Sequence, residues 1–352
     1  MALGAAAPRQ RDPSAWALAG AVATTSLVEA EAICRRIARR HYENFTVATR
    51  LVPADLRQDF ANVYAFARWS DDLADEAPGV DAPPSPPSGT ASGGTVPEGD
   101  AALSGLAAWR DRLERCRDGR PDHPVFVALA DTIRRRDLSL EPFSHLLDAF
   151  EEDRRFDLAG VAVRYPTRDA VVGYCRRSAD PVGRIVLALG GCRSPDLVAL
   201  SDAICTGLQL VNFWQDIRRD RLAGRVYVPA EDMVRLGVDE GMLDAPTASP
   251  ALRRLVAEEV AWARTFFDRG SPLVDAAPAA LRPAIRLFLG GGRAVADAIE
   301  RAGCDTLARR PVVGAWSKAK LAAAAWWATL VPARRDHAAS GSRGSSREGA
   351  RG

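Results

Sequence analysis

Residues 62–76, Asn62-Val-Tyr-Ala-Phe-Ala-Arg68-Trp-Ser-Asp71-Asp72-Leu-Ala-Asp75-Glu76, run an apolar helical pattern straight into a cluster of acids. At about 100° per residue, Asp71 and Asp75 fall about 40° apart on one helix face, with Arg68 one turn earlier and Tyr64 a turn before that. The chain then meets Pro78-Gly79. Four acids therefore crowd a helix C-terminus, where the macrodipole is already negative and cations are favoured. Like charges at i, i+4 add a penalty of roughly a few tenths of a kcal/mol. A purely structural role does not account for that crowding; a bound cation does.

Further along stands Gln209-Leu-Val-Asn212-Phe-Trp-Gln215-Asp216-Ile-Arg-Arg-Asp220-Arg-Leu-Ala-Gly224-Arg225-Val-Tyr227-Val-Pro229. Read as one helix, Asn212, Asp216 and Asp220 at i, i+4, i+8 make an oxygen-only stripe that drifts about 80°. The apolar run before it predicts a mostly buried helix whose polar stripe faces a cavity. Hard oxygen donors suit Mg²⁺, which takes one or two carboxylates at a site and leaves its other positions to water and substrate phosphates. A solvated acidic face explains either stripe taken alone. Two stripes, each with arginine nearby (Arg68; Arg218, Arg219 and Arg225), favour divalent ions that bridge carboxylate to diphosphate and stabilise a leaving pyrophosphate.

The surroundings are helical throughout. Residues 30–41, 55–76, 101–117, 123–136, 142–157, 168–190, 195–221, 249–269 and 278–303 carry apolar positions at i, i+3, i+4, with prolines near their ends and almost no period-2 runs. This predicts an all-α bundle forming a single domain over residues 29–311. Residues 1–28 read as a disordered N-terminal segment, and 77–100, rich in Pro, Gly and Ser, as a mobile loop. Residues 333–352 read as a disordered tail. Residues 312–332 place Trp316, Trp326 and Trp327 beside Lys318 and Lys320. They read as an amphipathic helix packed on the bundle, with contact at a membrane surface as the second reading.

Composition narrows the function classes. The 352 residues are 47% hydrophobic and 26% charged, with 47 basic and 45 acidic residues giving a net charge of +2. That balance argues against a nucleic-acid partner, which needs a basic face. Six scattered cysteines and four histidines show no ligand spacing, so zinc and a disulfide framework are not expected and a cytoplasmic location fits. Residues 13–28 faintly imitate a secretory signal but are poor in leucine. No run reaches the roughly 18 apolar residues of a membrane span. Gly290-Gly-Gly has no preceding strand, so a dinucleotide site, and with it NAD(P)H, is unsupported.

Tyr64-Ala-Phe-Ala-Arg68-x-x-Asp71-Asp72-x-x-Asp75, Asn212-x-x-Gln215-Asp216-x-x-x-Asp220 and Gly224-Arg225-Val-Tyr227-Val-Pro229 together resemble the squalene/phytoene synthase family of head-to-head isoprenoid synthases. The match runs from about His41 to about Pro311. His41-Tyr-Glu-Asn44-Phe45-Thr-Val-Ala and Tyr174-Cys-Arg-Arg-Ser-Ala-Asp-Pro-Val-Gly183-Arg184 are most similar to its bacterial, hydroxysqualene-forming branch in hopanoid biosynthesis. Other branches tend to carry Ala-Gly-x-Val-Gly where this chain has Ala179-Asp180-Pro181-Val182-Gly183.

The resemblance implies an isoprenoid-synthase bundle around a central active-site cavity. Asp71, Asp75, Asn212, Asp216 and Asp220 would hold Mg²⁺, more than one ion in all. His41, Asn44, Arg68, Tyr64 and Gln209 would line the diphosphate site, with Arg225 and Tyr227 on a closing flap. Tyr174 matches the family tyrosine proposed to assist ionisation or proton removal, which with Arg68 and Tyr64 makes the catalytic set. Phe45, Val63, Phe66, Leu208 and Phe213 are candidate tunnel walls. The implied reaction is Mg²⁺-dependent conversion of presqualene diphosphate and water to hydroxysqualene and diphosphate. The alternative is condensation of two farnesyl diphosphates, or of two geranylgeranyl diphosphates to phytoene. Partners would be a prenyl diphosphate, a membrane surface touched peripherally, and other enzymes of the same route.

Overall fold

The computed structural model describes residues 25–41, 51–75, 100–159 and 162–314. α1 (Leu27–His41) opens at a capping box, in which the Glu29 backbone N–H donates to Ser26 Oγ (3.3 Å) and the Ser26 N–H to Glu29 Oε2 (3.0 Å). The helix thus starts two residues inside the segment that sequence reading leaves outside the domain. α2 (Arg57–Asp75), α3 (Ala101–Arg117), α4 (Pro124–Arg136) and α5 (Glu141–Ala159) follow. The Asp100 carboxylate accepts from two amides of the first turn of α3, and buried His123 caps α4 through Nδ1. Burial pushes that imidazole down to about 3, so it is neutral.

Sequence spacing predicts one helix over 168–190, whereas the chain forms α6 (Arg168–Ser178) and α7 (Asp180–Leu189). Pro181 supplies no amide hydrogen and its ring would strike the carbonyl of Arg177, so the helix breaks at Ala179. The predicted 195–221 helix also divides, into α8 (Pro195–Gln215) and α9 (Ile217–Leu222), with Asp216 at the joint at φ −107°, ψ 13°. Asn212, Asp216 and Asp220 therefore do not share one continuous helix, and the 80° drift does not apply. Each stands on a different element: helix, joint and next helix.

The remaining elements are the two-residue strand β1 (Val163–Arg164), its parallel partner β2 (Arg225–Val226), α10 (Ala230–Leu236), a 3₁₀ turn (Glu240–Asp244), α11 (Pro250–Gly270), α12 (Leu273–Ala276) and α13 (Arg282–Arg301). The short pieces carry too few residues to show a period. α8 is the axis: it packs on α6, α7, α11, α12 and α13. α1 to α5 form the other half around Phe66, whose ring meets Phe126 edge-on at 6.0 Å and Phe143 at 5.3 Å. α7 touches α2, α5 and α8, joining the halves, and one continuous apolar core spans both.

By length and apolarity α8 is, among the described helices, the one candidate for crossing a bilayer, but its buried face is the centre of this core. All six cysteines are free. Residues 312–314 are irregular, with Val312 exposed, so the expected 312–332 helix does not begin there. Its remainder, the 333–352 tail and most of the 1–28 and 77–100 segments lie outside the described residues.

Candidate active site

The first acid stripe is organised by its own arginine. Arg68, buried on α2, donates from one terminal nitrogen to Asp71 Oδ2 (2.9 Å) and from Nε to Asp72 Oδ2 (3.2 Å), with its other terminal nitrogen on Asp72 Oδ1. These are the i+3 and i+4 neighbours that helical spacing brings together. Burial works against the Arg68 charge, and Asp72 and Asp71 outweigh it. Tyr64 lies buried one turn earlier and interacts with Arg68 electrostatically. Asp72, absent from the expected ligand set, thus takes the larger share of Arg68. Asp75 and His41 end α2 and α1, but their side chains, with Asn44 and Phe45, lie outside the described residues.

The second stripe gathers on the other half. Arg310 grips Asp216, with a terminal nitrogen 2.9 Å from Oδ2 and Nε on Oδ1, and that terminal nitrogen also donates to Gln215 Oε1 (2.9 Å). Gln215 Nε2 in turn donates to the carbonyl of Pro311. Asp220 accepts no side-chain hydrogen bond among the described residues; burial, then the nearby charge of Asp216, push its carboxyl up to about 7, while Arg225, Arg219 and Arg310 pull the other way. Gln209 is buried on α8 and Asn212 half-buried.

β2 presents Arg225 and carries the chain to Tyr227. Arg225 donates to Asp157 Oδ2 (2.7 Å), and Tyr227 stacks on Phe213 with ring centroids 3.8 Å apart and planes 7° apart. Tyr174, Tyr165 and Tyr227 form a triangle with sides of 5.7, 5.7 and 5.8 Å. The Tyr174 hydroxyl donates to Asp153 Oδ2 (2.8 Å). Burial raises the Tyr174 hydroxyl well above 10, so it is a proton donor at neutral pH, and raises the Asp153 carboxyl to about 6. A cleft lined by Phe213, Ile217, Asp220, Arg225, Tyr227 and Leu243 opens beside them. Of the expected wall residues, Phe213 lines this cleft, Phe66 is fully buried core, and Val63 and Leu208 are half-buried.

The structure therefore brings Tyr174, Arg225, Tyr227, Asp216 and Asp220 into one constellation, and Tyr64, Arg68 and Asp71 into another. Sequence reasoning missed Asp72, Asp153, Tyr165 and Arg310. Asp153 sits in a charged run, Glu151-Glu152-Asp153-Arg154-Arg155, that reads as a solvated face. Among the described residues no three His, Cys, Asp or Glu side chains form a ready metal cage. A divalent ion shared with a diphosphate asks only one or two carboxylates from each side. Asp71, and Asp216 with Asp220, whose carboxyl burial and the charge of Asp216 push up, fit that demand.

The squalene/phytoene synthase family model matches residues 38–317. The chain belongs to this family. Membership makes it an enzyme of isoprenoid biosynthesis, of the prenyltransferase type, with the isoprenoid-synthase fold. It is 37% identical to squalene synthase HpnC from Alicyclobacillus acidocaldarius, whose crystal structure aligns with a TM-score of 0.69 over 82% of this chain and 98% of that one. The phytoene synthase of Arthrospira platensis is 30% identical over 81% of this chain and 89% of its own length. The hydroxysqualene synthase of Zymomonas mobilis is 32% identical over 65% of this chain and 69% of its own length.

Proposed function

We propose that this family member converts presqualene diphosphate and water to hydroxysqualene and diphosphate, a carbon–oxygen lyase step in squalene and hopanoid biosynthesis. The observation that supports it most is the 32% identity to a hydroxysqualene synthase across 69% of that enzyme's length, beside the 37% identity to squalene synthase HpnC across 98% of that chain. Written this way the reaction needs no NAD(P)H, since water quenches the final cation. Mg²⁺, held by Asp71, Asp216 and Asp220 with Asp75 and Asn212, would offset the charge on the departing diphosphate.

The chain's own groups serve the rest. Arg68 and Arg225 bind diphosphate oxygens as planar donors, with His41, Asn44 and Gln209 completing that pocket. The faces of Phe213, Tyr174 and Tyr227 carry negative quadrupole charge that favours a carbocation beside them. The surrounding apolar core keeps bulk water from the cation. Substrate and product are both lipids, so peripheral contact with a membrane and with neighbouring enzymes of the route agrees with this reading.

The 30% identity to a phytoene synthase over 89% of its length favours a second reading, condensation of two farnesyl or two geranylgeranyl diphosphates. One experiment separates them: purified protein with Mg²⁺ and either presqualene, farnesyl or geranylgeranyl diphosphate, with mass spectrometry of the extracted lipid. Hydroxysqualene from the first substrate alone supports the hydration. Products from the other two alone would replace it with the condensation. Asp71→Asn and Asp216→Asn should each lose at least about a hundredfold in turnover with the helical circular dichroism preserved; full activity in either variant overturns the metal assignment.

A further inference from the structure

Three polar atoms in or beside the aromatic triangle have no hydrogen-bond partner among the described residues: Asp153 Oδ1, the Tyr165 hydroxyl and Arg225 Nε. All three are buried, and buried polar groups are normally bonded to protein or to ordered water. They belong to one cluster. Tyr174 links Tyr165, across 5.7 Å, to Asp153 through its hydroxyl, and the charge of Asp153 acts on both Tyr165 and Arg225. The set is chemically complementary to a single molecule: two N–H or O–H donors and one carboxylate acceptor. A buried water makes about three hydrogen bonds to groups of this kind.

Resting on the hydration reading above, we infer that Asp153, Tyr165 and Arg225 hold the water that captures the carbocation, and that Asp153 is its general base. The water accepts from Tyr165 and Arg225 and donates to Asp153 Oδ1. When diphosphate has left with the electron pair of its C–O bond, the hydrogen bond from Tyr165 is given up and the lone pair it frees on the water oxygen forms the new C–O bond. The O–H bond breaks towards Asp153, whose carboxylate takes the proton and later returns it to solvent. Diphosphate and alcohol are the only products, and no oxidant or reductant is needed.

Two neighbours hold the base in place. The Tyr174 hydroxyl fixes Oδ2 and leaves Oδ1 turned to the water, and Asp157 pairs the outer nitrogen of Arg225 at 2.7 Å. The carboxyl of Asp153, raised by burial and by Glu152 and Asp157 but lowered by Arg225 and Tyr174, lies near 6. It is mostly ionised at neutral pH yet basic enough to accept a proton from a water under attack.

The test uses the full chain with Mg²⁺ and presqualene diphosphate, measuring released diphosphate and the lipid products separately. In Asp153→Asn the hydroxysqualene fraction should fall at least about tenfold. Diphosphate release should stay within about tenfold of wild type, the product becoming a hydrocarbon formed by proton loss. Tyr165→Phe should shift products the same way by a smaller factor, and it keeps the proposal testable if Asp153→Asn does not fold. An unchanged alcohol fraction in both variants, or equal loss of release and alcohol in a folded Asp153→Asn, overturns the proposal. A wild-type chain that ignores presqualene diphosphate but consumes farnesyl diphosphate sinks the hydration reading itself, a result distinct from failure of the water site.

Discussion

Asp180, in the segment where this chain differs from other branches of its family, is buried at the first turn of α7 and accepts a hydrogen bond from Thr206 Oγ1 (2.9 Å). Burial, followed by the charge of Asp202, lifts its carboxyl from 3.8 to about 7, with Thr206 and Arg184 opposing. The folded chain therefore holds this proton more tightly than the unfolded chain. The stabilisation is full below pH about 4 and is lost as pH rises through about 7. Asn at this position keeps an acceptor for Thr206 and has nothing to ionise. The melting temperature of Asp180→Asn minus that of wild type should thus become steadily more positive from pH 4 to pH 8 in scanning fluorimetry. A flat difference would show that Asp180 does not titrate in that window.

Between elements, the packing of α13 on α8 and α11 depends on missing side chains. A Cβ at Gly292 would lie 2.5 Å from Phe267 Cζ and 2.8 Å from Leu208 Cδ2, and one at Gly207 would lie 2.8 Å from the same Phe267 ring. Phe267 is fully buried and has nowhere to retreat. Within the run Gly290-Gly-Gly it is Gly292 that makes this helix contact, while a Cβ at Gly291 would meet nothing within 4 Å. Gly292→Ala should lower the unfolding free energy by about 1–3 kcal/mol despite the better helix propensity of alanine. Urea titration followed by circular dichroism measures it, and a variant as stable as wild type would mean α13 shifts without cost.

Across the whole molecule, the chain after α13 returns to the second acid stripe. Asp305 accepts from the amides of Ala248 and Ala308, both at 3.0 Å, and pairs with Arg253, which fastens this strap to the start of α11. Arg310 at its end reaches Asp216, 94 residues away in sequence. A divalent ion held there as proposed would have to compete with Arg310 for the same two oxygens. Arg310→Gln should tighten Mn²⁺ binding to the substrate-free protein by about two- to fivefold, the range of a partly exposed ion pair. Electron paramagnetic resonance of free Mn²⁺ reads this directly, and unchanged or weaker binding would mean that Arg310 organises the stripe.

Helical periodicity, proline punctuation and the Arg68–Asp71 pairing are contacts between residues at most one turn apart. The sequence alone therefore determined that the chain is an all-α bundle carrying two oxygen-rich stripes, and its motifs pointed to the family. Where helices break depended on Pro181, legible in principle, and on the joint at Asp216, which no local signal marks. The partners of the acids were decided by tertiary structure alone: Asp216 with Arg310, Asp153 with Tyr174, and the orphaned atoms of Asp153, Tyr165 and Arg225. Those contacts join separate elements, and a charged run such as Glu151–Arg155 looks the same on a solvated face as beneath an aromatic triangle. The packing of α5 against α6 brings Tyr174 onto Asp153, whose Oδ1 is buried.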